Sequence, residues 1–466
     1  MRRIEVEPRP NSTRLIQSQG LPFATDSYWP DDCYYSFTSD EIALIEQAGH
    51  DVFDMCCEAA EYLVEHPDVM VNDMAIPAFA LRQIKESWNR EPAWASVVAR
   101  FDVCFGGLDN PDPALRTPRF YEFNADTPFC LVETACIQWL WLEQTGHGND
   151  QYNTIYESLV QAWTRNLDLV EKALGHRIRF VHFATARGDF DGEEATNTLM
   201  LASACREAGW PTRTMAVEQI ALSAEDGRFY DQHGDHIDVI FKVYPYEMMV
   251  RERFGEACFR DMDNIGQRDA AGNYTGGTVW IEPPYKMLWS NKALFAILWK
   301  LFKDDPRSKF LIPTYLEHEA PASLNSFARK PIFSRYGQGI QLEQDGHILQ
   351  KQDDNCYGKE GHVIQELALP PEYKDSQGRP RYTVLGLWFI DGEPAGLNVR
   401  EAQSPITDDY APFIPHSISD GPVGYTPRQI PDADEIEASL RLDRHAYIED
   451  SARVLEYIEQ VVYGCE

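Results

Sequence analysis

Two short stretches, Arg100-Phe101-Asp102 and Tyr121-Glu122-Phe123-Asn124-Ala125-Asp126-Thr127, decide how the fold of this chain is predicted. The second stretch lies in a predicted strand over residues 119–124. Side chains alternate between the two faces of a strand, so Glu122 and Asn124 are expected on the same face. One face of this strand therefore presents a carboxylate beside an amide carbonyl.

The first stretch lies in another predicted strand, over residues 98–105, which makes Asp102 available beside Glu122 and Asn124. Carboxylate and amide oxygens are hard ligands of the kind that Mg²⁺ prefers, and Mg²⁺ completes its octahedron with phosphates and water. The two stretches together predict an all-oxygen magnesium site. The alternative is an ordinary solvated strand face.

Composition excludes several classes of function. The chain has 466 residues with 42 basic and 74 acidic side chains, a net charge of −32. This length allows two to four subdomains, and the charge disfavours binding to nucleic acid or to anionic membranes. No apolar run is long enough to span a bilayer, and no apolar segment follows the basic residues at the N-terminus. None of the ten cysteines has zinc-site or redox-motif spacing, so we expect a reducing, cytoplasmic location.

The middle of the chain is predicted to hold a small doubly wound α/β unit, because strands alternate with a helix at the spacing that such units show. The strands are expected over residues 178–184, 212–217 and 237–243, and the helix over 193–208.

Other segments follow helix or strand periodicity. Residues 1–37 look irregular, and Thr38-Ser-Asp-Glu41 is a capping-box start for a helix that runs to about His66. Asp391-Gly392 is a strong hairpin dipeptide. Further helices are predicted over 77–89, 131–144, 154–174, 291–303 and 445–462, and further strands over 327–333, 338–343, 362–368, 381–391 and 394–401.

Later motifs carry candidate groups for phosphate chemistry. Lys330 ends a predicted strand before a loop with Gly337 and Gly339, where a lysine and backbone N–H groups can hold phosphate oxygens. Alone, this pattern is more often a hairpin with a solvated lysine. Arg400 could stabilise developing phosphoryl or oxyanion charge, or form a surface ion pair. Glu247 follows a strand end, where open sheets bind ligands, and could hold a substrate ammonium.

Taken in order, these motifs resemble the synthetase domain of the glutathionylspermidine synthase family, a group of ATP-grasp carboxylate–amine ligases. The resemblance runs from about residue 38 to 420. It is carried by Arg-x-Asp, Tyr-Glu-Phe-Asn-Ala-Asp-Thr-Pro, Tyr-Pro-Tyr-Glu, Glu-Pro-Pro-Tyr, Ser-Asn-Lys-Ala, Arg-Lys-Pro, Gly-Gln-Gly-Ile, Gln-Glu and Arg-Glu.

The resemblance implies an α/β (α+β) ATP-grasp fold with the small doubly wound subdomain inserted. We expect four segments: 1–175, an N-terminal helical and strand region with the magnesium-binding strands; 176–289, a Rossmann-like substrate subdomain; 290–425, the nucleotide-binding subdomain; and 426–466, a C-terminal helical segment. The amidase domain that precedes the synthetase in bifunctional members is expected to be absent.

The resemblance also implies a reaction and its residues. ATP would phosphorylate a small-molecule or peptide carboxylate, and an amine would then attack the acylphosphate to form an amide. The implied roles are as follows: catalytic, Arg100 and Arg400; magnesium, Asp102, Glu122 and Asn124; nucleotide, Lys330, Lys351 (with Lys359 as the alternative), Gly337, Gly339, Gln365, Glu366, Leu367 and Ala368; substrate, Thr127, Glu247, Lys286 and Asp409.

The chain departs from the family pattern at two positions near the implied glutathione site. Phe129 stands where the family often has a small hydroxyl residue, and Lys286 stands where it has threonine. A phenyl ring is expected to narrow the pocket, and Lys286 could pair with a second carboxylate. The alternative functions are an ATP-grasp nucleotide-binding protein without ligase activity, which acts as a scaffold or regulator, and phosphorylation without ligation.

Overall fold

The computed structural model describes residues 1–90, 97–187, 192–353 and 357–440. Its strands are β1 Arg2–Glu5, β2 Cys33–Phe37, β3 Val98–Cys104, β4 Arg119–Asn124, β5 Val181–Thr185, β6 Thr212–Ala216, β7 Ala221–Leu222, β8 Phe229–Tyr230, β9 Val239–Val243, β10 Val279–Ile281, β11 Thr314–Leu316, β12 Phe327–Pro331, β13 Gln341–Gln344, β14 His347–Lys351, β15 His362–Glu366, β16 Glu372–Lys374, β17 Pro380–Ile390, β18 Glu393–Ala402, β19 Phe413–Ile414 and β20 His416–Ile418.

The helices surround these strands. They are α1 Ser12–Ser18, α2 Ser39–Glu65, α3 Pro67–Asn72, α4 Leu81–Trp88, α5 Gln138–Thr145, α6 Ile155–Leu174, α7 Glu193–Glu207, α8 Tyr246–Met249, α9 Gly255–Met262, α10 Lys286–Trp289 and α11 Ala293–Phe302. A π-helical turn, Glu133–Ile137, leads into α5. In the described part of the chain, no helix combines the length and apolar character that a membrane span needs.

A six-stranded antiparallel sheet contains Arg100, Phe101 and Asp102 on β3 and the predicted ligands Glu122 and Asn124 on β4. Its order is β19-β18-β17-β3-β4. Strand β16 pairs with the first residues of β17, which do not pair with β3. The hairpin between β17 and β18 turns at Asp391 and Gly392, whose φ angles of 53° and 87° are both positive, as a two-residue hairpin turn of this hand requires. The predicted hairpin is confirmed.

Phenylalanine side chains explain why β3 and β4 expose their polar residues on the other face. Phe101 and Phe123 are cross-strand partners whose rings stack with centroids 3.7 Å apart, and both are buried in the main core. Because strand residues alternate, burying these rings turns Arg100, Asp102 and Glu122 toward the opposite face. Sheet packing therefore aims the polar residues away from the core.

A five-stranded antiparallel sheet has the order β11-β15-β12-β13-β14. It contains the strands predicted over 327–333, 338–343 and 362–368, with ends that differ by a few residues. Strands β11 and β14 were not predicted, because the pattern of each is short and only its pairing with β15 or β13 defines it.

The predicted α/β unit is a four-stranded parallel sheet with the order β10-β9-β5-β6. Helix α7 connects β5 to β6, as the strand–helix–strand pattern predicts for parallel neighbours. Strand β10 was missed because its three residues pair only with β9, which lies about 40 residues earlier in the chain.

The N-terminal residues correct one prediction. Residues 1–37 were expected to be irregular, but they contain α1 and two strands of a sheet ordered β1-β2-β20. Strand β20 begins at His416, so this sheet depends on pairing across almost the whole chain, which local pattern does not report. The expected helix from Thr38 is confirmed as α2, with a complete capping box between Thr38 and Glu41. The helix expected over 445–462 lies outside the described residues.

Candidate active site

A cavity of about 210 Å³ lies between the six-stranded and the five-stranded sheets. Side chains of β3, β4, β17 and β18 form one wall, and those of β12, β13 and the end of β15 form the other. Five cationic residues contribute to the lining: Arg100, Lys292, Lys330, Arg335 and Arg400. Six acidic residues also contribute to the lining: Asp102, Glu122, Glu193, Glu247, Glu366 and Asp408. The cavity therefore offers cationic groups to phosphate oxygens and acidic groups to a cation that accompanies them.

The predicted oxygen ligands meet at one wall. Asp102 lies directly opposite Glu122 in the β3–β4 pair, and Arg100 lies opposite Asn124. All four residues line the cavity. The register thus brings together the side chains that alternation alone could place only on a shared face.

Each carboxylate of this wall has a basic partner. Arg100 Nε donates to Asp102 Oδ1 at 2.9 Å, and Lys292 Nζ lies 3.1 Å from Glu122 Oε2. The amide of Asn124 donates to Glu122 Oε1 at 3.2 Å. Arg100 also donates from Nη1 to the backbone oxygen of Phe129 at 2.6 Å, which fixes its guanidinium at the cavity edge.

These contacts set the charge of the two acids differently. Burial opposes ionisation of Glu122, but the ammonium groups of Lys292 and Lys330 outweigh it and lower the pKa to about 2. Burial raises the pKa of Asp102; Arg100 opposes this shift and the charge of Glu122 reinforces it. Glu122 is therefore the more strongly anionic of the pair.

Lys330 lies on β12, on the opposite wall, and is largely buried. Its Nζ donates to Gln365 Oε1 at 2.7 Å and lies over the ring of Tyr121, 5.1 Å from the centroid. Desolvation lowers its pKa to about 8, with Glu122 acting in the opposite direction. A partly desolvated ammonium facing Glu122 across the cavity can contact phosphate oxygens.

The segment from Gln365 to Ala368 lines the cavity where β15 ends. Gln365 is fixed by Lys330 and by the hydroxyl of Thr314, to which it donates at 3.0 Å. The hydroxyl of Tyr121 donates to the backbone oxygen of Ala368 at 2.7 Å, and the Leu367 N–H donates to Ser326. The segment is thus a rigid strip of backbone beside the lysine.

The loop between β12 and β13 crosses the cavity mouth. Gly337 lines the cavity with a φ of 70°, and a Cβ there would meet the backbone oxygen of Thr407 at 2.7 Å. Arg335, two residues earlier, donates from Nε to Glu247 at 3.0 Å and from Nη2 to the Thr127 hydroxyl at 2.9 Å. Two of the four predicted substrate residues, Thr127 and Glu247, are therefore held by one arginine.

Arg400 lies on β18 and approaches the same cavity from a third direction. Its Nε donates to the backbone oxygen of Ala411 at 2.8 Å and its Nη2 to that of Asp409 at 3.2 Å. Its Nη1 donates to the sulfur of Cys130 at 3.1 Å. These three acceptors are neutral groups, and Glu193, which also lines the cavity, interacts electrostatically with the guanidinium.

Lys286 is not where it was expected. It was predicted to contact substrate, but its side chain is completely buried and does not line the cavity. Its Nζ donates to the backbone oxygens of Ala125 at 2.7 Å and Val98 at 3.1 Å, and lies 3.3 Å from Glu282. The ammonium instead ties the exit of β4 to the start of β3.

Three other predicted residues lie outside the cavity lining. Lys351 is exposed on β14. The N–H of Gly339 donates to the backbone oxygen of Asp353 at 2.8 Å, so it is engaged within the protein. Asp409 does not line the cavity, but its neighbour Asp408 does. The alternative, Lys359, is also exposed and outside the lining.

Two lining cations, Lys292 and Arg335, are functional candidates that the sequence alone did not single out. Both belong to motifs that carry the family resemblance, Ser-Asn-Lys-Ala and the run from Arg-Lys-Pro to Gly-Gln-Gly-Ile. The signal was present, but no role could be given to either residue because their partners, Glu122 and Glu247, are distant in sequence.

Phe129 lines the cavity, as expected for a residue that narrows it. Its ring stacks on that of Tyr336 with centroids 6.4 Å apart and an interplanar angle of 18°. Tyr336 belongs to the loop that carries Arg335, so an aromatic pair joins the two sides of the cavity mouth.

The donor set fits Mg²⁺ and a nucleotide. One anionic carboxylate, a second carboxylate and an amide side chain lie on adjacent strands, which is a hard-oxygen set for a divalent cation. Lys330 and the other cations line the same cavity and would complement the charge of phosphate oxygens. Asp102, Glu122 and Asn124 would hold the metal, and the β12 wall would hold the nucleotide.

Comparison with known proteins shows the family to which the chain belongs. A family model described as the glutathionylspermidine synthase preATP-grasp domain matches residues 3–419. The chain belongs to this family. The family assignment made from the ordered motifs is confirmed.

Individual relatives have related names. The chain is 28% identical over 432 residues to a Haemophilus influenzae protein named "Putative acid–amine ligase", covering 89% of this chain and 99% of that one. It is 22% identical over 424 residues to the bifunctional glutathionylspermidine synthetase/amidase of Escherichia coli, covering 88% of this chain but 62% of that one. A glutathione synthetase-like effector of Globodera pallida has a TM-score of 0.48 at 9% identity, over 83% of this chain and 89% of that one.

Proposed function

We propose that this protein is an ATP-dependent carboxylate–amine ligase that forms an amide bond through an acylphosphate. The observation that carries the proposal is the meeting of the β3–β4 oxygen ligands, Lys330 and Arg400 in one cavity. Family membership supports it, because relatives are named as glutathionylspermidine and trypanothione synthetases. A protein that only held a nucleotide would not need the two arginines beside the acids.

The nucleotide is proposed to bind in the manner of an ATP-grasp enzyme, between the two antiparallel sheets. Lys330 and the Gly337 loop contact phosphates, and Gln365–Ala368 contact the adenine. Mg²⁺, held by Asp102, Glu122 and Asn124, neutralises phosphate charge when it is bound. The exposed Lys351 has no support as a nucleotide lysine, whereas Lys330 and Lys292 are lysines that line the cavity.

Arg100 and Arg400 are proposed to act on the transferring group. The substrate carboxylate attacks the terminal phosphorus of ATP, and ADP leaves. An amine nitrogen then attacks the acyl carbon, the C–O bond to phosphate breaks, and the amine loses a proton. Guanidinium groups at the cavity edge stabilise the negative charge that builds on oxygen in both steps, and they position the reacting groups.

Thr127 and Glu247 are proposed to hold the substrates, with Arg335 joining them. A peptide-like acid and an amine are the classes that agree with the family. The reaction is placed in the cytoplasm, and the described cysteines, all unpaired, agree with a reducing compartment. The four segments 1–175, 176–289, 290–425 and 426–466 remain our proposed division, although β3 and β4 of the first share a sheet with β16–β19 of the third.

The proposal is tested by measuring ADP and phosphate release across a panel of small peptides and amines. We expect release only when acid and amine are both present, and loss of release in the Asp102→Ala, Glu122→Ala double variant. ATP binding without release for any pair would favour the nucleotide-binding alternative. ADP release with acid alone, leaving a phosphorylated acid, would indicate a kinase-like reaction.

A further inference from the structure

Lys292 is placed so that it touches both walls of the cavity. Its Nζ lies 3.1 Å from Glu122 Oε2 on β4 and donates to the backbone oxygen of Ser334 at 2.8 Å. The backbone N–H of Lys292 donates to the backbone oxygen of Ile332 at 3.1 Å. One residue therefore connects a proposed metal ligand to the loop that follows β12.

The contact with Glu122 places Lys292 in competition with a metal ion. The other oxygen of Glu122 accepts from Asn124, so both oxygens of this carboxylate have partners. A divalent cation on Glu122 would lie close to the ammonium of Lys292, and like charges at this separation repel strongly in a partly buried site. Binding the metal requires the ammonium to move.

The cavity provides space into which the ammonium of Lys292 can move. Lys292 lines the cavity together with Lys330, the lysine proposed to contact phosphates. A lysine has a flexible stem and three rotatable donors, so its head group can change partners without backbone motion. Its side chain is about 10% exposed, and the exposed part faces this space.

We propose that Lys292 is an exchange residue, whose ammonium leaves Glu122 for a nucleotide phosphate when metal and nucleotide bind together. This inference rests on the proposed function. Exchange makes the two ligands depend on each other: the metal alone must displace a cation, whereas the metal–nucleotide complex gives that cation a new anionic partner. Because Lys292 also holds Ser334, the exchange reaches the loop that carries Arg335.

The test uses the Lys292→Met variant of the full chain, with Mn²⁺ as the metal probe and a non-hydrolysable ATP analogue as the nucleotide probe. Mn²⁺ binding without nucleotide, measured by electron paramagnetic resonance of the free ion, is expected to tighten about threefold or more. Binding of the analogue in excess Mg²⁺, measured by calorimetry, is expected to weaken about tenfold because a cation for its phosphates is lost. A tenfold change corresponds to about 1.4 kcal/mol. A purely structural role would weaken both.

The matched control is Lys300→Met. Lys300 lies on α11, the helix that begins directly after Lys292, and forms an exposed ion pair with Glu319 at 3.3 Å, so neither affinity should change. Lys292→Gln removes the charge but keeps N–H donors for Ser334, and we expect the same opposite pair of changes from it. If Lys292→Met does not fold, the same measurements are made on Lys292→Gln.

Weakening of both affinities, or no change in either, would overturn the inference. Failure of the proposed function would look different. If the wild-type protein binds no ATP analogue, the ligase proposal is wrong, and a Mn²⁺ affinity that Lys292→Met leaves unchanged would separately reject competition at Glu122.

Discussion

Asp102 and Glu122 are direct cross-strand partners in β3 and β4, and both side chains face the cavity. Glu122 is paired with Lys292 and Asp102 with Arg100, so each acid of the pair has its own cation. The two carboxylates can approach each other because these cations offset their repulsion.

The first prediction concerns this pair. Glu122→Gln and Asp102→Asn keep the shape of each side chain and remove its charge, so each should raise the Mg²⁺ concentration needed for half-maximal nucleotide binding by about tenfold or more. Titration of Mg²⁺ against a fluorescent ATP analogue measures this. Asp168→Asn, at an exposed position of α6, is the control. Wild-type Mg²⁺ dependence in both site variants would reject the ligand assignment.

A second prediction concerns Gly386, which pairs with Asp102 across β17 and β3. A Cβ at this position would collide with Asn398 Oδ1 and would lie 2.8 Å from Arg100 Cδ. Gly386→Ala should therefore displace Arg100 and lower the rate of ADP formation about tenfold, with a stability loss of about 1–3 kcal/mol from overpacking. Initial rates and urea unfolding measure the two effects. An unchanged rate in a folded variant would show that the position of Arg100 matters little.

A third prediction concerns the buried Glu282–Lys286 pair. Burial raises the pKa of Glu282 to about 7, and Lys286 opposes the shift. Lys286→Met leaves Glu282 without its cation and the oxygens of Val98 and Ala125 without a donor, so we expect a loss of about 3–5 kcal/mol in the free energy of unfolding.

The matched variant combines Glu282→Gln with Lys286→Met. It leaves no unpaired charge and should recover part of the loss seen with Lys286→Met alone. Denaturant unfolding compares the two proteins. Equal stability of the single variant and the wild type would mean that the pair does not stabilise the β3–β4 ends.

A fourth prediction concerns pH. His416 is fully buried; its Nδ1 faces Gln138 Oε1 at 3.0 Å, and its Nε2 accepts from the Tyr152 N–H at 3.2 Å, so the neutral ring is the form that fits. Desolvation lowers its pKa to about 3. The unfolded chain, with a histidine pKa of about 6.5, takes up the proton first as pH falls, and stability is lost in the window between these values.

The expected loss from this group is about 2 kcal/mol between pH 7 and pH 5. In His416→Asn the titrating ring is absent, so the stability difference between wild type and variant should shrink by that amount over the same range. Urea unfolding at several pH values measures it. A difference that does not change with pH would exclude His416 as the source.

The parts of the fold that sequence predicted well are those with local causes. The capping box of Thr38 and Glu41 and the Asp391-Gly392 turn each act within a few residues, and both appear as expected. Strands β1, β10 and β11 have three or four residues each and exist through distant partners. Their patterns are too short to distinguish from loop.

The same distinction explains the candidate site. Asp102 and Glu122 were predicted together because strand alternation is a local property, and the register then aligned them. Lys286 was misplaced because nothing near it in sequence reports that Val98 and Ala125 would enclose its ammonium. Lys292 lies in the Ser-Asn-Lys-Ala motif, but the motif gives it no role because its partner, Glu122, lies 170 residues earlier in the chain.

Phe129 is bound through its backbone oxygen by Arg100, whereas its side chain contributes to the cavity wall. A substitution at this position changes the shape of the cavity but keeps the carbonyl that orients the arginine. Under the proposed function, a different side chain here would alter which acid or amine is accepted while Arg100 keeps its position.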